Sequence, residues 1–131
     1  MSYEQINGYH DAALKGIEAG EAPRSLALSF VLEDGQQKTL TLHGCEIFRI
    51  NDFVNQNVVS RLLLFRGSEI DTAMVAEKLQ WASSQSDTHS FLKPERLDEL
   101  LAKIKAGALS LLVLEPSWGA EVAALFTHMS S

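Results

Sequence analysis

Residues 115–119, EPSWG, come closest to a catalytic motif in this sequence. A serine between a strand and a helix, with glycine two residues later, partly matches the nucleophile elbow G-x-S-x-G. Glu115 stands where that motif has its first glycine, and the sharp turn needs small residues on both sides of the serine. Only Glu121 and His128 follow as acid and base, within and directly after the last predicted helix. We therefore interpret Ser117 as a helix cap and assign no catalytic residue.

The four histidines and the single cysteine are the possible metal ligands with nitrogen or sulfur donors. His43 and Cys45 would share one face of an extended strand, but a zinc site needs three or four ligands. The other histidines, His10, His89 and His128, are widely scattered along the chain. We therefore predict no metal site and no cofactor. Cys45 is the single cysteine, so no internal disulfide forms, and a buried thiol in a reducing cytoplasm fits best.

The segment 83–90, SSQSDTHS, is the most loop-like stretch and contains groups able to do acid–base chemistry. Asp87 and His89 supply a carboxylate and an imidazole, and Arg61 and Asn57 are candidates to line the same site. This set supports one functional hypothesis, a small-molecule-binding protein or enzyme with its site under this loop.

Composition and charge exclude several classes. The 131 residues are 46% hydrophobic and 21% charged, as expected for one globular domain. The net charge of −6 and the lack of a dense Lys/Arg cluster argue against nucleic acid as a partner. The start of the chain lacks the basic and apolar regions of a secretion signal. The most apolar window, 106–114, is about half the ~20 residues that a membrane span requires. We expect a cytoplasmic protein that binds no membrane.

Hydrophobic periodicity predicts nine elements. Those with helical period are predicted at 3–19, 69–83, 94–106 and 118–127. Those with strand period are predicted at 25–32, 37–43, 45–51, 57–66 and 109–114.

This order predicts a single α+β domain, an antiparallel meander sheet of four to five strands packed against three or four helices. Asp34-Gly35 is a strong hairpin signal between the first two strands. The sequence leaves open whether 37–51 is one strand bent at Gly44 or two strands, and we favour two because strands longer than about ten residues are uncommon.

The polar segment 51–57, NDFVNQN, connects two apolar runs and is interpreted as a turn rather than a binding site. Phe53 and Val54 are expected to tuck into the core as this connection closes. Arg61 lies within the apolar run that follows, and we expect it to pair with an acid such as Asp52 or Glu46.

Trp118, beside a proline at the start of the last predicted helix, is the best candidate for an exposed interface anchor. Together with the acidic balance and the lack of catalytic motifs, it favours a non-enzymatic protein-interaction module of an adaptor or immunity-like kind. Its partner would be another protein or a second copy of the chain. Trp118, Arg61 and the 83–90 segment are the candidate contacts. A shallow apolar patch around Trp118 would favour this hypothesis over the small-molecule site.

Overall fold

Strands make up most of the secondary structure. The structure is a computed structural model that describes residues 3–20, 24–86 and 89–131. The two helices are α1 (Thr72–Ala82) and α2 (Pro94–Lys105). The strands are β1 (Glu4–Gln5), β2 (Ala13–Ala19), β3 (Leu26–Val31), β4 (Gln37–His43), β5 (Ile47–Asn51), β6 (Val58–Phe65), β7 (Ser84–Ser86), β8 (His89–Ser90), β9 (Ser110–Trp118), β10 (Glu121–Phe126) and β11 (His128–Ser130).

The fold class predicted from the sequence is wrong. Within the described ranges, nine strands form one antiparallel sheet and only two helices are present, instead of four to five strands with three or four helices. The order across the sheet is β11-β4-β3-β2-β6-β9-β10-β5, and β1 adds to β6. The remaining strands, β7 and β8, pair with each other where the sequence predicted a loop.

The strand pairs at the two ends of this order, β11–β4 and β10–β5, adjoin each other. β10 and β11 are separated by Thr127 alone, and they pair with β5 and β4 in turn. The sheet therefore returns to its own starting point and closes on itself. Segment 37–51 is two strands, as favoured from the sequence, with a bend at Gly44 between them.

That bend packs tightly against the opposite strand. The backbone N–H and Oγ1–H of Thr127 both donate to the carbonyl oxygen of His43, at 3.0 and 2.8 Å. Gly44 has a φ of +65°, and a Cβ at this position would overlap the side chain of Thr127. Glycine is therefore required here both for its backbone conformation and for its missing side chain.

The helix predicted at 3–19 is instead β1, an irregular segment and β2. Gly8 and Asp11 have φ values of +89° and +62°, which no α-helix accommodates. The backbone N–H groups of Ile6, Asp11 and Leu14 donate across to carbonyl oxygens of the segment 57–62. The apolar residues of 3–19 matched a helical period, but hydrogen bonding to neighbouring strands determines the backbone.

The helix predicted at 118–127 is also wrong, since these residues form the end of β9, a hairpin turn and β10. Five consecutive residues, 122–126, are buried. A surface helix would bury one stripe only, whereas a strand covered on both faces buries every residue. The strand predicted at 109–114 accordingly continues to Trp118.

Two apolar clusters lie on opposite faces of the sheet. The first includes Leu28, Phe30 and Leu42, which alternate along β3 and β4 and face the inside of the closed sheet. The second packs α1 and α2 against the other face of β6, β9 and β10, with Phe65, Leu100 and Val113 among its members. Neighbouring residues of these three strands thus belong to different clusters.

The two central helices occur where the sequence predicts them. Asp71 is the N-cap of α1, and its carboxylate accepts a hydrogen bond from the Met74 N–H at 3.1 Å. Pro94 opens α2, and Glu99 and Lys103, four residues apart on this helix, form an ion pair at 3.3 Å. Neither helix has the length and apolar character that a membrane crossing requires.

Candidate functional site

Trp118 stands at the end of β9 and is 67% exposed, as expected for an interface anchor. The connection between β5 and β6 lies beside it. Asp52, Val54, Trp118 and Gly119 line a shallow cleft of about 280 Å³. Phe53 and Val54 are 46% and 44% exposed, so the expectation that they tuck into the core is wrong. We call Phe53, Val54 and Trp118 the aromatic tip.

Asn57 holds the two parts of this tip together. Its Oδ1 accepts hydrogen bonds from the N–H groups of Val54 and Ala120, at 2.9 and 3.0 Å. Its Nδ2 donates to the carbonyl oxygens of Val54 and Leu14, at 2.6 and 3.3 Å. Only 3% of Asn57 is exposed, so its role is to position the tip and not to contact a ligand.

Gly119 completes the turn from β9 to β10. Its φ is +82°, and an added Cβ would lie 2.5 Å from Oδ1 of Asn57. The turn therefore approaches Asn57 so closely that only glycine fits at position 119. The polar segment 51–57 is a turn, as interpreted from the sequence, but one that presents apolar side chains to the exterior.

Arg61 pairs with an acid, though with neither of the two named from the sequence. Its Nε and Nη2 each donate to Oε1 of Glu115 at 2.7 Å, and Nη1 donates to the hydroxyl of Tyr3 at 3.0 Å. Glu115 lies directly opposite Arg61 in the β6–β9 register. The hydrogen bond to Glu115 raises the pKa of Arg61 above its ordinary value, so the guanidinium stays charged. Arg61 is thus engaged within the sheet and is not part of the aromatic tip.

The site predicted under segment 83–90 stays a prediction, because the structure describes too little of this segment to test it. His89 belongs to β8, where its backbone pairs with Ser86, while Asp87 lies outside the described residues. Arg61 and Asn57, the other two members of that set, are engaged as described above.

Ser117 is part of β9 and caps no helix. Its hydroxyl donates to the carbonyl oxygen of Val58 at 3.4 Å, across the β6–β9 pair. The helix-cap interpretation is therefore wrong, because the segment that follows is a strand.

His43 and Cys45, the closest candidates for a metal pair, point to different partners. His43 stacks on His128 with ring centroids 5.2 Å apart, and its Nε2 forms a hydrogen bond with Oγ of Ser130. Cys45 is buried, and desolvation is the main cause that raises its pKa to about 11. In the part of the chain that the structure describes, no three His, Cys, Asp or Glu side chains converge on a common point.

Sequence reasoning named Trp118 and Asn57 as candidate binding residues, but it did not name Asp52 or Phe53. The turn-forming residues at 51–57 do not indicate whether the connection is buried or exposed, and large apolar residues are usually buried. Only the proximity of the β9–β10 turn makes these side chains one surface.

Comparison of the chain with models of protein families, with curated proteins and with solved structures finds no match in any of the three.

Proposed function

We propose that this chain is a non-enzymatic protein-interaction module that binds another protein through the aromatic tip. The observation that carries the proposal is the exposure of Trp118, 67%, in a cleft that Val54 also lines, with Phe53 exposed next to Val54 in the chain. Tryptophan is the residue type most enriched among those that dominate binding energy at interfaces.

The rigid support of the tip strengthens this proposal. Asn57 ties the segment 51–57 to the β9–β10 turn through hydrogen bonds to both sides. A surface that is already ordered loses less conformational entropy on binding, so more of the contact energy becomes affinity.

Charge indicates the kind of partner. Asp52 lines the cleft beside Trp118, and the whole chain carries a net charge of −6. A complementary surface would place an apolar socket for the indole ring next to lysine or arginine side chains. Association with such a partner would be faster at low ionic strength.

The test compares Trp118→Ala with Phe91→Ala, which removes a similarly exposed aromatic residue (65%) from the segment that follows β8. Tagged wild type and both variants are incubated with native lysate, cross-linked and analysed by quantitative mass spectrometry. We expect a partner whose recovery falls at least tenfold with Trp118→Ala, stays unchanged with Phe91→Ala and declines as salt is raised.

Thermal denaturation of each variant verifies that it is folded, and light scattering of the purified chain measures self-association. Recovery of every captured protein equally by all three forms would contradict the proposal. If the purified chain is a dimer that Trp118→Ala dissociates, and no other protein is captured, the partner is a second copy of this chain and not a different protein.

A further inference from the structure

Strand β5 has a neighbouring strand on one side only. The sheet closes through the bent segments β4–β5 and β10–β11, but among the described strands β5 itself pairs with β10 alone. No residue of β5 is fully buried, whereas five of the six residues of β10 are. In an antiparallel pair, alternate residues direct their backbone N–H and C=O groups to the neighbouring strand. The other residues of β5 therefore direct theirs to the open side, where a further strand can pair with them.

The sequence of β5 lacks the features that usually protect such an edge. Its five residues, IFRIN, include no proline or lysine, and its register with β10 contains no bulge. β11, at the other end of the strand order, is only three residues long. The guanidinium carbon of Arg49 lies 4.5 Å from the centroid of the Trp81 ring, and its Nη1 donates to the Trp81 carbonyl oxygen at 3.1 Å. The one charge of β5 is thus held against α1.

The ring of Phe48 forms an apolar surface beside the open edge. Phe48 lies opposite Ala124 in the β5–β10 register, and therefore on the same face of the sheet, yet Phe48 is 48% exposed and Ala124 is fully buried. Ile50, two residues later, lies on this face as well and packs against the first apolar cluster. A further strand beside β5 would cover the exposed part of the Phe48 ring.

The charges at the two ends of β5 are opposite. Glu46 directly precedes β5 and belongs to a cluster of linked ion pairs. This basic cluster contains three cations and two carboxylates, namely Arg24, Arg96, Lys103, Glu46 and Glu99. Asp52 directly follows β5, is exposed and forms no ion pair with a described residue. When two copies of β5 run antiparallel, the basic end of each therefore lies beside the acidic end of the other.

We propose that two copies of this chain form a dimer in which their β5 strands pair antiparallel about a two-fold axis. With the axis at Arg49, Phe48 of each copy lies opposite Ile50 of the other, an aromatic–β-branched pair of the kind that stabilises sheets. The two Arg49 side chains lie on the axis, each held against α1 of its own copy. Each Asp52 carboxylate approaches the basic cluster of the opposite copy.

A second copy fits this edge because its apolar pairs and its charges are complementary to themselves. The dimer presents two aromatic tips, and the inference does not depend on what those tips bind.

The test is sedimentation equilibrium of the purified chain from about 1 to about 500 µM, a range that covers weak and strong dimers. We expect a monomer–dimer equilibrium. Phe48→Lys places an ammonium group opposite Ile50 at two positions of each dimer and should weaken dimerisation roughly tenfold or more. Asp52→Asn keeps a residue that tolerates the positive φ at this position, and it should weaken dimerisation by a smaller factor, as should added salt.

Trp118→Ala is the matched control, because it removes a more exposed aromatic side chain from the aromatic tip and leaves β5 unchanged. Its dimerisation should equal that of the wild type. Since the proposed binding of a foreign protein depends on Trp118 and dimerisation does not, failure of either proposal is distinguishable from failure of the other.

Hydrogen exchange of the wild type keeps the test decisive if Phe48→Lys does not fold. Pairing of β5 should slow exchange of the amides of 47–51 that face the open side as the protein concentration rises. Three results would each overturn the proposal: a chain that stays monomeric over the whole range, a dimer that Trp118→Ala dissociates, or exchange in β5 that is independent of dimerisation.

Discussion

At the scale of single residues, the most consequential side chain is one that is almost completely buried. Asn57 makes four hydrogen bonds to backbone groups of three different segments. No other residue type offers both two donors and an acceptor in this short, planar arrangement, apart from the longer glutamine. The sequence makes it a candidate to line a small-molecule site, whereas in the structure it connects three backbone segments from inside the protein.

Asn57→Ala should therefore destabilise the protein strongly. The part-buried N–H of Val54 and the buried N–H of Ala120 would lose their acceptor, and a buried unsatisfied group costs about 1–3 kcal/mol. We expect the free energy of unfolding in urea to fall by about 2–4 kcal/mol. Asn55→Ala, at an exposed position of the same turn, should change it by less than about 0.5 kcal/mol. Equal effects of the two substitutions would contradict the role assigned to Asn57.

His10 provides a prediction about pH. Its Nδ1 forms a hydrogen bond with the carbonyl oxygen of Ser60 at 3.0 Å, and the carboxylate of Asp11 is 3.5 Å from Nε2. These contacts, the Ser60 hydrogen bond first, raise the pKa of His10 above 6.5. The folded state thus binds this proton more tightly than the unfolded state. The resulting stabilisation is complete below the unfolded pKa and is lost as the pH rises through the folded value.

An NMR titration of the His10 ring signals measures this pKa directly. Asp11→Asn removes the nearest negative charge, and asparagine tolerates the positive φ at this position. We expect the pKa of His10 to fall in this variant but to stay above the ordinary value because the Ser60 hydrogen bond remains. A wild-type pKa at or below 6.5 would show that the contacts do not persist in solution.

At the scale of secondary-structure elements, the bend between β4 and β5 determines how the sheet closes. Gly44→Ala would place a Cβ in the left-handed region, at about 1–2 kcal/mol, and would also force Thr127 to move. We expect a loss of more than about 2 kcal/mol in urea denaturation. Gly35→Ala is the control, since its φ is +91° and no atom lies within 4 Å of the added Cβ.

The difference in unfolding free energy between Gly44→Ala and Gly35→Ala measures the cost of the clash with Thr127, because both variants share the cost of the positive φ. In the double variant Gly44→Ala/Thr127→Ala the obstructing side chain is removed. The added loss from Gly44→Ala should then shrink towards that of Gly35→Ala. If Gly44→Ala and Gly35→Ala cost the same in the wild-type background, the contact with Thr127 does not constrain the bend.

At the scale of the whole molecule, the two apolar clusters share the same strands. Leu62 and Leu63 are consecutive in β6, yet they belong to different clusters, and Leu111 and Leu112 do the same in β9. Loss of either cluster exposes one face of strands that the other cluster needs. The molecule should therefore unfold in a single cooperative transition.

Leu28→Ala and Leu100→Ala test this coupling, one in each cluster, and each should cost about 2–5 kcal/mol. Trp118→Phe leaves Trp81, on α1, as the only tryptophan. In that background, Trp81 fluorescence and far-ultraviolet circular dichroism should report the same urea midpoint for both variants. Separate midpoints for the two probes would show that the helical side unfolds independently.

The sequence alone determined the locally encoded elements. α1 and α2 carry a sustained helical period with start signals, and β3 and β4 alternate on either side of Asp34-Gly35, whose glycine has a φ of +91°. It also identified Trp118 as exposed. These features depend on residues a few positions apart, so their physical causes lie within the segment itself.

The tertiary structure decided the identity of segments 3–19 and 118–127, the closure of the sheet and the composition of the aromatic tip. A short apolar run such as 122–126 can satisfy its backbone groups within a helix or against neighbouring strands. Of the two strands that flank this run, β5 (Ile47–Asn51) is distant in the sequence, so no local pattern reveals that pairing. Burial on both faces and hydrogen bonds to distant strands therefore decide its structure.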